Sequence, residues 1–116
     1  MKRLALRSRA EVDLIRITQW YGREGGPRLG ERFFDEAQAA VARISAMPGI
    51  GSSRIGGLIG MKSLRSWPVH RFPVRWWYIE QQDCIDVIRL LAERQDLEAI
   101  LSAEPIDPVQ SLPDLD

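Results

Sequence analysis

The apolar residues of this chain change their spacing once, at a proline. From Ser8 to Met47 they recur at the period of a helix, about 3.6 residues, and from Gly60 to Ala92 at the two-residue period of a strand. Pro48-Gly49 marks the change. A fold built on this pattern must hold helices from the first half against a sheet from the second. That is an α+β arrangement, and it excludes alternating β-α units with a wholly parallel sheet.

The local signals sharpen this reading. Arg3-Leu4-Ala5-Leu6-Arg7 alternates and is long enough for an edge strand. Ser8 with Glu11 has the spacing of a capping box, which satisfies two backbone N–H groups at a helix start. Ala10, Leu14, Ile17 and Tyr21 then share one helix face, and Gly22, Gly25 and Gly26 end it. Pro27 suits the first position of a second helix, where a missing N–H is harmless. Its stripe is Leu29, Phe33, Ala37, Val41 and Ile44, flanked by Phe34, Ala40 and Met47. The glycine-rich block Ile50 to Gly60 reads as a loop. Strands are expected over Gly60–Val69, His70–Glu80 and Cys84–Ala92, with a hairpin at Gln81-Gln82-Asp83. Strict alternation puts Ile85, Val87 and Leu91 on one face of the last strand, and Cys84, Ile88 and Leu90 on the other. Both faces are apolar, so this strand should be central. Asp96 to Leu101 forms a short terminal helix.

The expected fold is a small β-α-α-β-β-β-α domain over residues 1–101, a helical hairpin packed on one face of a small antiparallel sheet. Residues 102–116, with Pro105, Pro108 and Pro113, read as an acidic flexible tail. Two helices cover one face only. The other is expected to stay apolar and open, to be met by something else such as a second chain. Without that partner the protein should be poorly soluble.

Several functions fall away on composition. No apolar run approaches the ~20 residues of a membrane helix, and the N-terminus lacks the apolar stretch of a signal peptide. One cysteine (Cys84) and one histidine (His70) build neither a disulfide nor a zinc site. The expectation is a cytoplasmic protein with no metal and no cofactor. A Ser-His-Asp arrangement would have to use His70, which has Arg71 beside it and no marked serine partner. Paired carboxylates are absent between Glu36 and Glu80, and the glycine block lacks the lysine–serine pair of a phosphate loop.

The chain's net charge of zero conceals a division. Residues 1–92 carry 15 basic and 9 acidic side chains, a balance of +6, and residues 93–116 carry −6. From Ala37 to Ile79 there are six basic residues and no acid. Arg65, Arg71, Arg75 and Arg89 fall on or beside the strands with Trp67, Trp76, Trp77 and Tyr78. Arginine with aromatics suits RNA, because guanidinium binds phosphate and rings stack on bases. It equally suits a protein–protein hot spot. Trp76 and Tyr78, on one strand face, are read as core. Arg71, Arg75 and Trp77, on the opposite face, are read as a partner surface. Arg89 lies among apolar residues and needs a carboxylate, from the tail or a partner, or an anionic ligand to offset desolvation.

Leu64-Arg65-Ser66-Trp67-Pro68-Val69, Phe72 to Tyr78, Ile85 to Leu91 and Arg94-Gln95-Asp96-Leu97, in this order, resemble the ParE branch of the ParE/RelE toxin superfamily. Ala10-Glu11-Val12-Asp13-Leu14 is similar to that family's first helix start. The resemblance spans about residues 3–101. It implies the toxin of a type II toxin–antitoxin system, of the kind tied to plasmid stabilisation and stress response. It further implies that the protein poisons DNA gyrase by binding, and that an adjacent antitoxin of the ribbon-helix-helix type neutralises it. Sequence-specific DNA binding by this chain alone is not implied. Arg65, Trp67, Arg71, Arg75, Trp77, Arg89, Leu97 and Leu101 are the candidate target or antitoxin surface.

The alternative that the superfamily offers is a ribosome-dependent endoribonuclease of the RelE type, with Arg71, Arg75, Arg89 and Arg94 on phosphate. Ile100 stands where the RelE-branch tyrosine falls, so the general base for the ribose 2′-OH is missing. Ala92 replaces the histidine common in the ParE branch. A third reading is therefore an inactive relative kept for antitoxin binding. The acidic extension is expected to fold back over the basic strands and compete with an antitoxin.

Overall fold

A computed structural model describes residues 2–104. The chain runs β1 (Arg3–Leu6), α1 (Ser8–Gly25), α2 (Pro27–Ala46), a 3-10 turn (Pro48–Ile50), α3 (Arg54–Leu58), β2 (Leu64–Pro68), β3 (Val74–Glu80), β4 (Cys84–Ala92) and α4 (Leu97–Ser102). The four strands form one sheet in the order β1-β4-β3-β2, with β4 inside it.

The helical hairpin forms as its spacing dictates. Phe33, Ala37, Ala40, Val41 and Ile44 on α2 and Ala10 on α1 are buried against the sheet, with Leu14, Ile17 and Tyr21 packed on the same core. Gly26 joins the helices at φ +97°, and Pro27 opens α2. The capping box does not form. Arg7, not Ser8, is the N-cap, and no side chain caps the helix. The reason lies in β1: the Arg7 N–H donates to the Val87 carbonyl, and its guanidinium holds Asp86, so the chain leaves the strand directly into α1.

The sheet departs from expectation in three ways. It is mixed: β2, β3 and β4 run antiparallel, while β1 pairs parallel with β4, Leu4 opposite Ile85 and Leu6 opposite Val87. The strands are also shorter than alternation suggests. Val69–Pro73 is the β2–β3 turn, with Arg71 at φ +71°, and Gly60–Ser63 precedes β2.

The third departure is a β-bulge. Tyr78 pairs with Val87 but Trp77 pairs with Arg89, leaving Ile88 as an extra residue on β4. An extra residue shifts the in–out alternation by one. Leu90 therefore joins Ile85 and Val87 in the core under the helical hairpin, and Leu91 joins Ile88 on the opposite side. That reverses the faces assigned to Leu90 and Leu91 from strict alternation.

The opposite sheet face is not open. Leu64, Trp77, Ile79, Ile88 and Leu91 are buried there beneath Leu101 of α4, with Ile55, Ile59, Met61, Leu97 and Ile100 packed around them. The loop expected between Ile50 and Gly60 supplies half of this cover as α3. Gly56 lets α3 approach β2 closely: a Cβ there would lie 2.5 Å from the carbonyl oxygens of Met61 and Leu64. The expectation of an exposed apolar face is overturned by these two short helices, and the ground given for poor solubility goes with it.

Candidate functional site

The residues expected to form one surface divide between the two faces. Directly paired residues of adjacent strands share a face. Trp67 pairs with Trp76 and Arg65 with Tyr78, on the side of the helical hairpin. Trp76 and Tyr78 are core residues, as expected. The Trp76 indole N–H donates to the Ala37 carbonyl at 3.0 Å. The Tyr78 hydroxyl donates to the Pro48 carbonyl at 2.7 Å and accepts from the Gly51 N–H at 2.9 Å. Burial raises the Tyr78 pKa above its ordinary value, against a lowering by the Gly51 hydrogen bond and by the Arg65 charge. Arg65 itself donates to the Gly51 carbonyl at 2.7 Å.

Arg75 and Trp77 fall on the other side. Trp77 is fully buried under α3 and α4, and its indole N–H has no partner among the described residues. It therefore presents no surface to a partner in this fold, and neither does Leu101, also fully buried. Arg75 donates to the Ser66 hydroxyl at 2.9 Å and lies 3.5 Å from Glu93. Arg71 is exposed at the β2–β3 turn, Arg94 is exposed beyond β4, and Leu97 is half-buried on the second cluster. Of the four arginines of the nuclease alternative, Arg75 and Arg89 thus hold separate partners, and no one group among the described residues is shared by all four.

Arg89 sits at the bulge, where its side chain reaches α1. Its Nε and Nη2 donate to the two Asp13 oxygens at 2.7 and 3.0 Å, and Nη1 donates to Glu104 at 3.2 Å. Asp13 also accepts the Leu90 N–H at 3.0 Å, in a place where β1 has already ended. The Asp13 hydrogen bond raises the guanidinium pKa above its ordinary value and outweighs the desolvation that lowers it. Glu104 further holds Arg9 at 3.3 Å and Arg7 at 3.7 Å. The carboxylate that Arg89 requires thus comes from two sources. One is Glu104, from the segment read as tail, so the folded body reaches at least that residue. The other is Asp13 on α1, which sequence reasoning missed. Its signal was available: an acid one position before Leu14 on the inward stripe. The remainder of the tail, residues 105–116, lies outside the described residues.

A second feature also escaped the sequence reading. Val12, Ile15 and Trp20 are large apolar side chains of α1, and each is about half exposed. Trp20 borders a groove of about 510 Å³ between α1 and the sheet end, lined also by Arg16, Tyr21, Arg23, Pro73 and Arg94 among others. Burial raises the Tyr21 pKa there, and the Arg94 charge opposes it. Among the described residues no group of three or more His, Cys, Asp or Glu side chains could hold a metal ion. No described helix is long and apolar enough to cross a membrane.

Compared with known families, residues 4–97 match the family model described as the ParE toxin of the type II toxin–antitoxin system, parDE. The chain belongs to the ParE toxin family. The matched span takes in the hairpin, the sheet from Leu4 onward and the first residue of α4, so both Arg89 and Asp13 lie within the ParE-like unit. A solved structure, the chromosomal ParDE toxin–antitoxin system from P. aeruginosa, shares the fold at a TM-score of 0.68. That match covers 79% of this chain and 96% of the other, at 18% identity. No curated protein matches in sequence. Glu104, beyond the family span, completes the charge cluster at Arg89.

Proposed function

We propose that this ParE-family chain acts by binding rather than by catalysis: it inhibits DNA gyrase in the cytoplasm, and a co-expressed ribbon-helix-helix antitoxin neutralises it. The observation that carries the proposal is the ParE family match over residues 4–97. The state of Arg89 adds support. Its guanidinium, 16% exposed, is already held by Asp13 and Glu104, which disfavours its use on an RNA phosphate. Arg65, Trp67, Arg71, Arg75, Arg94 and Leu97 keep some exposure and are the proposed contacts to target or antitoxin.

Supercoiling by purified gyrase tests the reading. The full chain should inhibit it, the antitoxin should restore it, and ribosome-bound mRNA should stay intact. Cleavage of ribosome-bound mRNA with gyrase unaffected would make the protein a RelE-type nuclease instead. Antitoxin binding with neither effect would mark it as the inactive relative.

A further inference from the structure

We propose that the outward face of α1 is a docking track for residues 105–116 of this same chain. The track begins where the described chain ends. Glu104 is buried and bound to Arg9 and Arg89. Arg9 and Arg89 line a depression beside the start of α1 together with Val12 and Arg16, and Arg16 also lines the larger groove holding Trp20 and Arg23. The chain therefore leaves the fold at the foot of a continuous strip that runs along α1.

The strip is both apolar and cationic. Val12 and Trp20 are 46% and 49% exposed. Arg16, Arg23 and Arg94 line the groove with no acidic neighbour in its wall, and none of the three is ion-paired within 4.0 Å among the described residues.

Residues 105–116 complement it. They carry Asp107, Asp114 and Asp116 and no basic residue. Ile106, Val109, Leu112 and Leu115 fall at every third position, with Pro105 before them and Pro108 and Pro113 among them. Apolar side chains at a three-residue spacing with prolines among them are the chemistry that an aromatic-lined groove takes. Trp20 and Tyr21, edge to face with centroids 5.1 Å apart, and Pro73 provide such a lining. Reach is ample. From Arg9 to Arg23 the helix rises about 21 Å at ~1.5 Å per residue. Twelve residues can span at most about 40 Å at ~3.3 Å each. The tether also holds the segment at a local concentration on the order of millimolar, so weak intrinsic affinity is enough for occupancy. An acidic partner that used this face would first have to displace it.

The test is fluorine NMR of the full chain labelled with 5-fluorotryptophan, the Trp20 signal being assigned by Trp20→Phe. Val109→Ser, Leu112→Ser and Leu115→Ser combined should shift the Trp20 resonance and raise its quenching by iodide. Arg16→Glu with Arg23→Glu should shift it likewise, and high salt should move the unaltered chain toward the same position. Arg16 and Arg23 are exposed, and an unchanged circular dichroism melt of each variant verifies folding. A Trp20 resonance identical in the unaltered and tail-substituted chains would overturn the proposal. So would a shift that depends on protein concentration, which would make the occupant a second copy of the chain.

Discussion

Asp13 on α1 and Arg89 on β4, 76 positions apart, form a two-pronged ion pair that also accepts the backbone N–H of Leu90. The pair ties the first helix to the central strand just past a β-bulge, so it joins the two halves of the fold at their most irregular point. Asp13 is nearly buried, and so is Glu104, the other carboxylate on Arg89.

Breaking this pair from one side should be expensive. Asp13→Ala leaves Arg89 with Glu104 alone and frees the Leu90 N–H. A loss of about 3 kcal/mol in urea denaturation is expected, as for a buried charge stripped of its partner. Arg89→Lys should not restore stability, because an ammonium cannot span both oxygens. Arg89→Met combined with Asp13→Leu should be milder than the sum of the two single changes, and an additive result would show that the pair does not act as a unit.

Leu101 and Glu104 should hold α4 down together. Leu101→Ala removes a fully buried side chain from the second core, for which a loss of about 3 kcal/mol is expected. Glu104→Gln weakens its contacts to Arg7, Arg9 and Arg89. Both variants should bind a hydrophobic dye, because lifting α4 uncovers Trp77, Ile88 and Leu91. Hydrogen exchange should locate the loosening at α4. Faster exchange throughout α1 and α2 instead would show that α4 does not open independently.

Alkaline pH should destabilise the fold through its tyrosines. Burial raises the pKa of both Tyr21 and Tyr78, so the folded state keeps these protons at a pH where the unfolded chain has lost them. The folded state then binds more protons than the unfolded one, and stability falls as pH rises past about 10, the ordinary tyrosine value. Tyrosinate absorbance should therefore appear together with loss of circular dichroism, above that value. Tyr78→Phe abolishes its share of this dependence. It also strips the Gly51 N–H of its acceptor, costing about 1–3 kcal/mol at neutral pH.

Arg71 allows charge to be separated from structure. It is exposed and stands at φ +71°, in the left-handed region where a side chain costs roughly 1 kcal/mol. Arg71→Gly should raise the melting temperature slightly while removing the positive charge, and Arg71→Val should lower it. A drop in antitoxin or gyrase affinity with Arg71→Gly would then report recognition and not folding.

Sequence alone determined the helical hairpin, its inward stripes, the three-strand meander, the central place of the last strand and the burial of Trp76 and Tyr78. These follow from side-chain periodicity, which the local backbone imposes on any chain that must bury one face. Tertiary structure alone decided the rest. Residue Ile88 is one too many for its partner strand, and that excess moved Leu90 and Leu91 to opposite faces; nothing in β4 by itself marks it. The parallel pairing of β1 depends on where the hairpin returns the chain. The cover over Trp77 came from α3, five residues read as loop, and from α4, expected as a helix but with nothing local to say what it covers. The partners of Arg89 lie 76 and 15 positions away, so its need for a carboxylate and the tail as one source were legible, while Asp13 was not. Local spacing encodes which face a residue turns inward, and only the folded chain brings distant charges within hydrogen-bonding reach.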